Sequence, residues 1–309
     1  MDRIQQLRVY IQVMDSGNFT RAALAMNIPR STVSTVIQQL EDRVGTQLLR
    51  RTTRRMVPTD EGLRFLETAR EISLAMEEAE QMFRTPSGPL SGRLRIDMPS
   101  RIGRLHVIPA LPGLLSAHPE LLIEIGTTDR MVDMLSEGVD CLIRVGTLDN
   151  SDLICRKLGD LEIITCASPG YLEKFGIPHT IDDLDRHRLV NYGASLPAGR
   201  AQFDFLESGQ MCARTMASTI TVNNAESYIA AARAGLGLIQ IPSFDVADLL
   251  QSGELKRVLP EVVQEPMQLS FLYAQRRNVP ARITLFQDWI GSLLKDRQIF
   301  ARLENSDPL

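Results

Sequence analysis

Apolar residues near the start of the chain fall at Ile4, Leu7, Ile11 and Met14, steps of three, four and three that draw one stripe along a helix. Gly17 is the expected stop, because glycine closes a helix in the left-handed conformation without penalty. Thr20 is the expected cap of a second, short helix whose Ala22, Ala23 and Met26 face inward. Pro29 ends that segment and is tolerated only in the first turn of the next. From Ser31 the stripe resumes as Val33, Val36 or Ile37, Leu40 and Val44, and Gly45 supplies another stop. A longer stripe follows. Phe65, Ala69, Ile72, Met76, Ala79 and Phe83 step by four, three, four, three and four, the repeat of about 3.5 residues that seats one helix against another. Thr59-Asp60-Glu61 opens this helix with a cap and two acids at its positive end. Thr85-Pro86-Ser87-Gly88-Pro89 breaks it. The stripe fits either a seam between two chains or a helix packed on its own domain.

Beyond Arg93 short apolar runs alternate with helical ones. Leu94 to Met98, Leu121 to Ile125 and Cys141 to Val145 read as strands, separated by helix-like segments at Pro109 to Leu115 and Met131 to Leu135. This βαβαβ order predicts an α/β unit, a parallel sheet with helices on both faces. A second unit begins near Ile163. Its strands are Ile163 to Ala167, Leu189 to Tyr192, Thr219 to Val222 and Leu238 to Ile241. Its helices are Gly170 to Phe175 and Ala225 to Ala234, the latter capped by Asn223 or Asn224. Leu269 to Tyr273 and the helix Ala281 to Leu294 are expected to return to the first unit. Two α/β units crossed twice by the chain enclose a cleft at strand ends, where small ligands bind.

Composition changes this picture mainly through charge. The chain of 309 residues is too long for one ordinary core. Its net charge of −4 is uneven: residues 1–60 hold nine arginines, no lysine and five acids, a balance of +4 that leaves −8 for the rest. A basic head on an acidic body points to a polyanion partner for the head. Arg50, Arg51, Arg54 and Arg55 fall within six residues, like a basic wing after the third helix. The polar face of that helix shows Arg30, Ser31, Thr32, Ser34, Thr35 and Gln38, short hydroxyls and an amide that suit base edges in a major groove. Aromatic residues, at 5%, are too few for base-stacking platforms.

Other classes are excluded by what the chain lacks. The start is charged and amphipathic, without the apolar core of a signal peptide. No window approaches eighteen apolar residues, so no membrane partner is expected and the protein is expected in the cytoplasm. Cys141, Cys155, Cys166 and Cys212 have no CxxC spacing, which fits a reduced compartment. His106, His118, His179 and His187 show no ligand spacing, so neither a metal nor another cofactor is expected. Gly235-Leu236-Gly237 follows a helix where a dinucleotide fingerprint follows a strand, and GxSxG, GKS/T and HExxH are absent. Catalysis is not expected.

The run from Ala22 to Gly62, AALAMNIPRSTVSTVIQQLEDRVGTQLLRRTTRRMVPTDEG, resembles the N-terminal signature of LysR-type transcriptional regulators. The match rests on the alanine pair, Val33-Ser34, Ile37, Leu40-Glu41, Gly45, Leu48, the Arg51-Thr52-Thr53-Arg54 wing, and Thr59 before an acidic helix start. Pro29-Arg30 stands where the family usually has Ser-Gln, and Thr35, Gln38 and Gln39 replace residues that are often basic. Discrimination of bases therefore falls to short hydroxyls and Arg30, and nonspecific grip to the wing.

The resemblance implies an organisation with an all-α N-terminal domain. A winged helix-turn-helix occupies 1–58, a coiled-coil linker and dimerisation helix 59–85, and a hinge 86–92. An effector-binding domain fills 93–309. That last domain is expected to be periplasmic-binding-protein-like (type 2), with subdomain I at 93–162 and 268–309 and subdomain II at 163–267. Contacts to double-stranded DNA are expected from Arg30, Ser31, Thr32, Ser34, Thr35, Gln38, Arg51, Thr52, Thr53, Arg54 and Arg55. An unidentified small-molecule effector is expected in the cleft. Ser100, Arg101 and Ile102 follow the first strand and open a helix, so hydroxyl and N–H groups there can meet a carboxylate. Thr128 and Thr147 follow the second and third strands. The resemblance adds Gln202, Phe203 and Asn224. If Arg101 points inward, the effector is an anion, whereas Arg144 lies inside a strand and reads as structural. The remaining expected partners are further copies of the chain, as a homodimer and homotetramer, and RNA polymerase. The rival readings are a soluble solute-binding or enzyme-like protein with an N-terminal oligomerisation region, and a regulator that senses oxidants through Cys212 or Cys166.

Overall fold

The computed structural model describes residues 1–51, 56–81, 90–130, 132–146, 153–193, 200–275 and 279–301. Two compact units result, Met1–Pro89 with Asp133–Val139, and Leu90–Val132 with Asp140–Leu309.

The first unit opens with α1 (Arg3–Ser16), α2 (Phe19–Ala25) and α3 (Arg30–Val44). Gly17 and Gly45 close α1 and α3 at φ of 61° and 74°, as their positions after the apolar stripes require. Asn18, not Thr20, caps α2: its carboxamide oxygen accepts from the Thr20 and Arg21 amides. The helix starts at Phe19, so Thr20 already lies within its first turn. Asn27 turns the chain between α2 and α3 at φ 53°, a conformation that asparagine tolerates better than most residues. Val33, Val36, Ile37 and Leu40 of α3 pack with Val9, Tyr10, Val13, Ala22 and Ala23, while Val44 at the helix end is exposed.

Strands β1 (Leu49–Arg51) and β2 (Met56–Pro58) form an antiparallel wing with Leu49 opposite Pro58. The Glu41 carboxylate of α3 accepts from the Leu48 and Leu49 amides at 2.9 and 3.0 Å through a single oxygen, which docks the wing on the helix. The linker helix α4 (Asp60–Gln81) starts against the same point. Thr59 shares its hydroxyl hydrogen between the Gln47 carbonyl at 2.8 Å and the Leu48 carbonyl at 3.1 Å, and accepts from the Gly62 amide at 2.9 Å. Tyr10 donates to the Gly62 carbonyl at 2.8 Å. A Cβ on Gly62 would collide with the Leu48 carbonyl oxygen, so only glycine fits this approach.

The long apolar stripe divides along its length. Phe65 packs edge-on to Tyr10 at 5.3 Å, and Ala69 is 1% exposed in the same core. Both are committed to their own unit, which corrects the expectation that they face a second chain. Ile72 and Met76, 43% and 41% exposed, remain open. The side chain of Ala79 and all of Phe83 lie outside what is described.

In the second unit β3 (Ser91–Met98) begins three residues earlier than expected, so Ser91 and Gly92 belong to a strand and not to a hinge. A continuous helical run follows: α5 (Ser100–Ile102), a widened π turn at Gly103–Val107, and α6 (Ile108–Ala117). Next come β4 (Glu120–Thr127), β5 (Cys141–Val145) and β6 (Leu153–Leu161); the short α7 (Met134–Glu137), between β4 and β5 in sequence, belongs to the first unit. The chain continues through β7 (Ile163–Ala167), α8 (Pro169–Phe175), β8 (Asn191–Tyr192), β9 (Arg200–Glu207), β10 (Gln210–Ala217) and β11 (Thr221–Val222). It ends with α9 (Ala225–Arg233), β12 (Ile239–Pro242), α10 (Ala247–Gln251), β13 (Lys256–Val258), β14 (Met267–Ala274) and α11 (Ala281–Asp296).

These elements form two lobes. The first holds a five-stranded sheet ordered β4-β3-β5-β14-β6. It is mixed, not parallel: β3 runs parallel to β4 and β5, whereas β14 is antiparallel to β5 and β6. The return of the chain through β14 from the second lobe reverses that strand. Leu94, Ile96, Met98, Ile143 and Phe271 pack with Val107, Leu114, Phe286 and Ile290 of the helices. Alternate positions carry charge instead, with Arg93 and Arg95 paired to Glu124. Asp97 and Arg144 make a buried pair at 2.5 Å. The second lobe holds the sheet β12-β7-β13, the hairpin β9-β10 and the parallel pair β8-β11. Its apolar residues fall into two clusters, one around Tyr171, Leu172 and Phe203, the other around Ile164, Tyr228 and Ile239.

Candidate functional site

On the first unit, α3 turns Arg30, Ser31, Thr35 and Gln38 to solvent, with Thr32 and Ser34 half-buried beside them. The two faces follow from the apolar period: Val33, Val36, Ile37 and Leu40 take the inward side. Gln38 and Arg50 of β1 line one concavity of about 880 Å³ together with Glu41, Asp42, Thr46 and Gln47. The helix face and the wing are therefore continuous, with two acids set between their donors. Thr52, Thr53, Arg54 and Arg55 lie outside the described residues, as does the side chain of Arg51.

The second unit gathers polar groups where the two lobes meet. Ser100, at the end of β3, gives its amide to Asp129 Oδ1 at 3.0 Å and its hydroxyl to Oδ2 at 3.3 Å. The same Oδ2 accepts from the Ala225 amide, the first of α9 in the other lobe, at 2.7 Å. Arg101 crosses in the opposite direction. Its guanidinium donates to the Asp245 carbonyl and to Glu226 Oε2 at 3.3 Å, and lies 3.5 Å from Asp245 Oδ1. Arg104 adds a bond to Glu226 at 2.9 Å.

Burial raises the Asp245 carboxyl to about 7. The pull of Arg101 opposes that shift, and the negative charges of Asp129 and Glu226 add to it. Tyr192, 45% exposed, stands edge-on to Tyr228 at 5.2 Å, and its hydroxyl is raised by burial and then by Asp129 and Asp245. His106, in the π turn beside Phe244, is lowered by burial and by Arg297 and Arg101. Such turns occur often where a helix has been adapted to a function.

Of the expected effector contacts, only Ser100 and Arg101 join this cluster directly. Arg101 is already engaged by two acids, so it offers no uncommitted charge to an anion. Ile102 is fully buried in the core of the first lobe. Phe203 is fully buried in the second, because alternation along β9 turns it inward while Gln202 faces out. Neither Ile102 nor Phe203 has surface to offer a ligand. Thr128 donates to Asp97 at 2.9 Å and not to a residue of the cluster. Asn224 caps α9 by accepting from the Ser227 amide at 2.8 Å. Thr147 lies outside the described residues. Arg144 is structural, paired with Asp97.

Asp129, Glu226, Asp245 and Tyr192 are absent from the sequence-based set. Asp129 follows Thr128 at the end of β4, so the strand-end rule that selects Thr128 selects it equally. Glu226 and Asp245 carry no comparable signal, since their partner Arg101 is remote in sequence.

Among the described residues no group of His, Cys, Asp and Glu could hold a metal ion, and no helix is long and apolar enough to cross a membrane. The Cys166 thiol, buried in β7, is pushed up to about 12, the reverse of what a reactive thiolate needs.

A winged helix-turn-helix followed by a two-lobed ligand-binding fold defines a DNA-binding regulator. The comparisons agree. Residues 4–63 match the model of the bacterial regulatory helix-turn-helix protein, lysR family, and residues 87–295 match the LysR substrate binding domain. The chain belongs to the LysR family of transcriptional regulators, and it is a regulator and not an enzyme. It is 38% identical to the uncharacterized HTH-type transcriptional regulator YhjC of Escherichia coli K12, over 96% of this chain and 99% of that one. Among solved structures it is similar to the full-length virulence activator AphB of Vibrio cholerae, with a TM-score of 0.58, 25% identity, and coverage of 94% and 98%. It is equally similar to CrgA of Neisseria meningitidis, with a TM-score of 0.58, 26% identity, and coverage of 94% and 99%.

Proposed function

We propose that this regulator is switched by a small molecule bound between its two α/β lobes, and that it acts on DNA as a dimer-based assembly, a homotetramer. One observation carries the reading. Ser100, Asp129 and Arg101 at strand ends of one lobe meet Ala225, Glu226 and Asp245 of the other, so a ligand seated there alters bonds that join the lobes. A ligand shifts such an equilibrium only by its difference in affinity for the two arrangements. Ile72 and Met76 of α4 are the exposed part of the apolar stripe and supply the seam between two copies. Pairing by symmetry sets two α3 helices on two half-sites, where Arg30, Ser31, Thr32, Ser34, Thr35 and Gln38 read bases. Arg51, Arg54 and Arg55, with Thr52 and Thr53, grip phosphate. Such a complex acts on transcription through RNA polymerase.

Titration of duplex DNA at several salt concentrations tests the head. Replacing Arg51, Arg54 and Arg55 together by alanine is expected to weaken binding to all sequences and to lower the salt slope by about one per lost phosphate contact. Thr35→Ala is expected to change sequence preference. Unaltered binding in both variants would overturn the assignment of the head.

A further inference from the structure

We propose that Asp129 is a built-in carboxylate ligand of the cleft, a latch that joins the lobes and that a carboxylate effector has to displace. The proposal rests on reading the cleft as the effector site. Its basis is where the hydrogen bonds of Asp129 go. Both oxygens act as acceptors, Oδ1 from the Ser100 amide and Oδ2 from the Ser100 hydroxyl and the Ala225 amide. The Ala225 amide opens α9, a helix of nine residues, and has no acceptor within it. The helix's own cap does not serve this amide, because the Asn224 oxygen accepts from Ser227. The acceptor it requires comes from the other lobe.

The latch also organises its neighbour. Glu226 follows Ala225 directly and receives Arg101 at 3.3 Å and Arg104 at 2.9 Å. Fixing the first turn of α9 by the Asp129 bond therefore fixes the acid that both arginines grip. The Asp129 bond ties an amide to a carboxylate, and the Glu226 ties join full charges. A free carboxylate carries the same two oxygens as Asp129 and meets the same donors. It can enter only when Asp129 leaves, and then the lobes are joined through the ligand instead of through the chain. Asp129 thus sets the threshold affinity that a carboxylate must exceed.

Hydrogen exchange on the full-length protein tests this without DNA or an identified effector, with formate and acetate as probes. Asp129→Ala is expected to speed exchange across the first turn of α9 by about tenfold, the effect of about 1.4 kcal/mol. Protection in α11 is expected to stay unchanged. Formate or acetate should restore the lost protection in this variant, while chloride at equal ionic strength should not, and wild type should respond to neither. Unchanged exchange at α9 in a variant that keeps α11 protected would overturn the latch, and so would failure of formate and acetate to restore protection. Should Asp129→Ala fail to fold, Asp129→Asn decides. A carboxamide has one acceptor oxygen, so exchange must rise at Ser100 or at Ala225, and wild-type rates at both would overturn the proposal. An open latch with DNA binding identical to that of wild type supports the latch and counts instead against control of the head by the cleft.

Discussion

Removing the Glu41 carboxylate is the sharpest test of how the DNA-binding wing is held. Glu41 accepts from two consecutive amides, Leu48 and Leu49, at 2.9 and 3.0 Å, and both bonds use the same oxygen. Hydrogen bonds to an ionised group are worth about 1.5–3 kcal/mol each when buried. Glu41 is half-exposed, so the lower end applies and water replaces part of what is lost. Glu41→Ala is therefore expected to cost about 2 kcal/mol in local docking of the wing, which converts to exchange about thirtyfold faster at the Leu48 and Leu49 amides. Glu41→Gln retains one carbonyl oxygen able to accept both bonds and is expected to cost less than about 1 kcal/mol. Hydrogen exchange resolved at these residues gives the local effect, and anisotropy with a labelled duplex gives its consequence for DNA affinity. Exchange in Glu41→Ala within about twofold of wild type would refute the docking role. Equal damage from alanine and glutamine would show that the charge, and not the shared acceptor, holds the wing.

Gly62→Ala sets a Cβ against the Leu48 carbonyl oxygen and is expected to destabilise the first unit by about 2–4 kcal/mol, read by thermal unfolding and by weakened DNA binding. Asp97→Ala strands the buried Arg144 guanidinium and is expected to cost about 3–5 kcal/mol, followed in urea through the fluorescence of Trp289, which packs against the same core. Asp245 gives a dependence on pH. Its folded pKa of about 7 lies above the ordinary 3.8, so between these values the folded state binds more protons and stability falls as pH rises. Asp245→Asn is expected to raise the melting temperature at pH 8 (roughly one unit above that pKa) and to flatten the profile between about 4 and 7, with Arg101, Asp129 and Glu226 left in place. A melting temperature at pH 8 no higher than that of wild type would contradict this.

How much of the molecule the sequence discloses depends on how local the determining physics is. Gly17 and Gly45 mark their helix ends because positive φ is a property of a single residue. The cap of α2 is less determinate. Asn18 and Thr20 are both able caps two residues apart, and only the start at Phe19 separates them. A heptad stripe cannot say what it faces, and the ring of Tyr10 decides that Phe65 belongs to its own unit. Hairpin β9-β10 is legible in Ala201, Phe203 and Phe205 alternating with Gln202 and Asp204, and in Ser208-Gly209 at its tip, with φ of 53° and 77°. A family-derived role for Gln202 and Phe203 obscures that pattern. The cleft is legible in part. Ser100 follows from a strand end, whereas the partners of Arg101 lie 125 and 144 residues away and emerge only from the fold.

The Leu48 carbonyl joins two parts of the head that have different tasks. It accepts from the Thr59 amide at 3.0 Å and hydroxyl at 3.1 Å, and Gly62 packs directly on it. Leu48 opens the wing, and Thr59 and Gly62 open the linker helix, so the two elements share one bearing. Torque applied along α4 is therefore expected to reach the wing and not to stop at the helix's first turn. In mechanical terms the linker is a crank fixed to the wing, held by the three contacts of a single carbonyl.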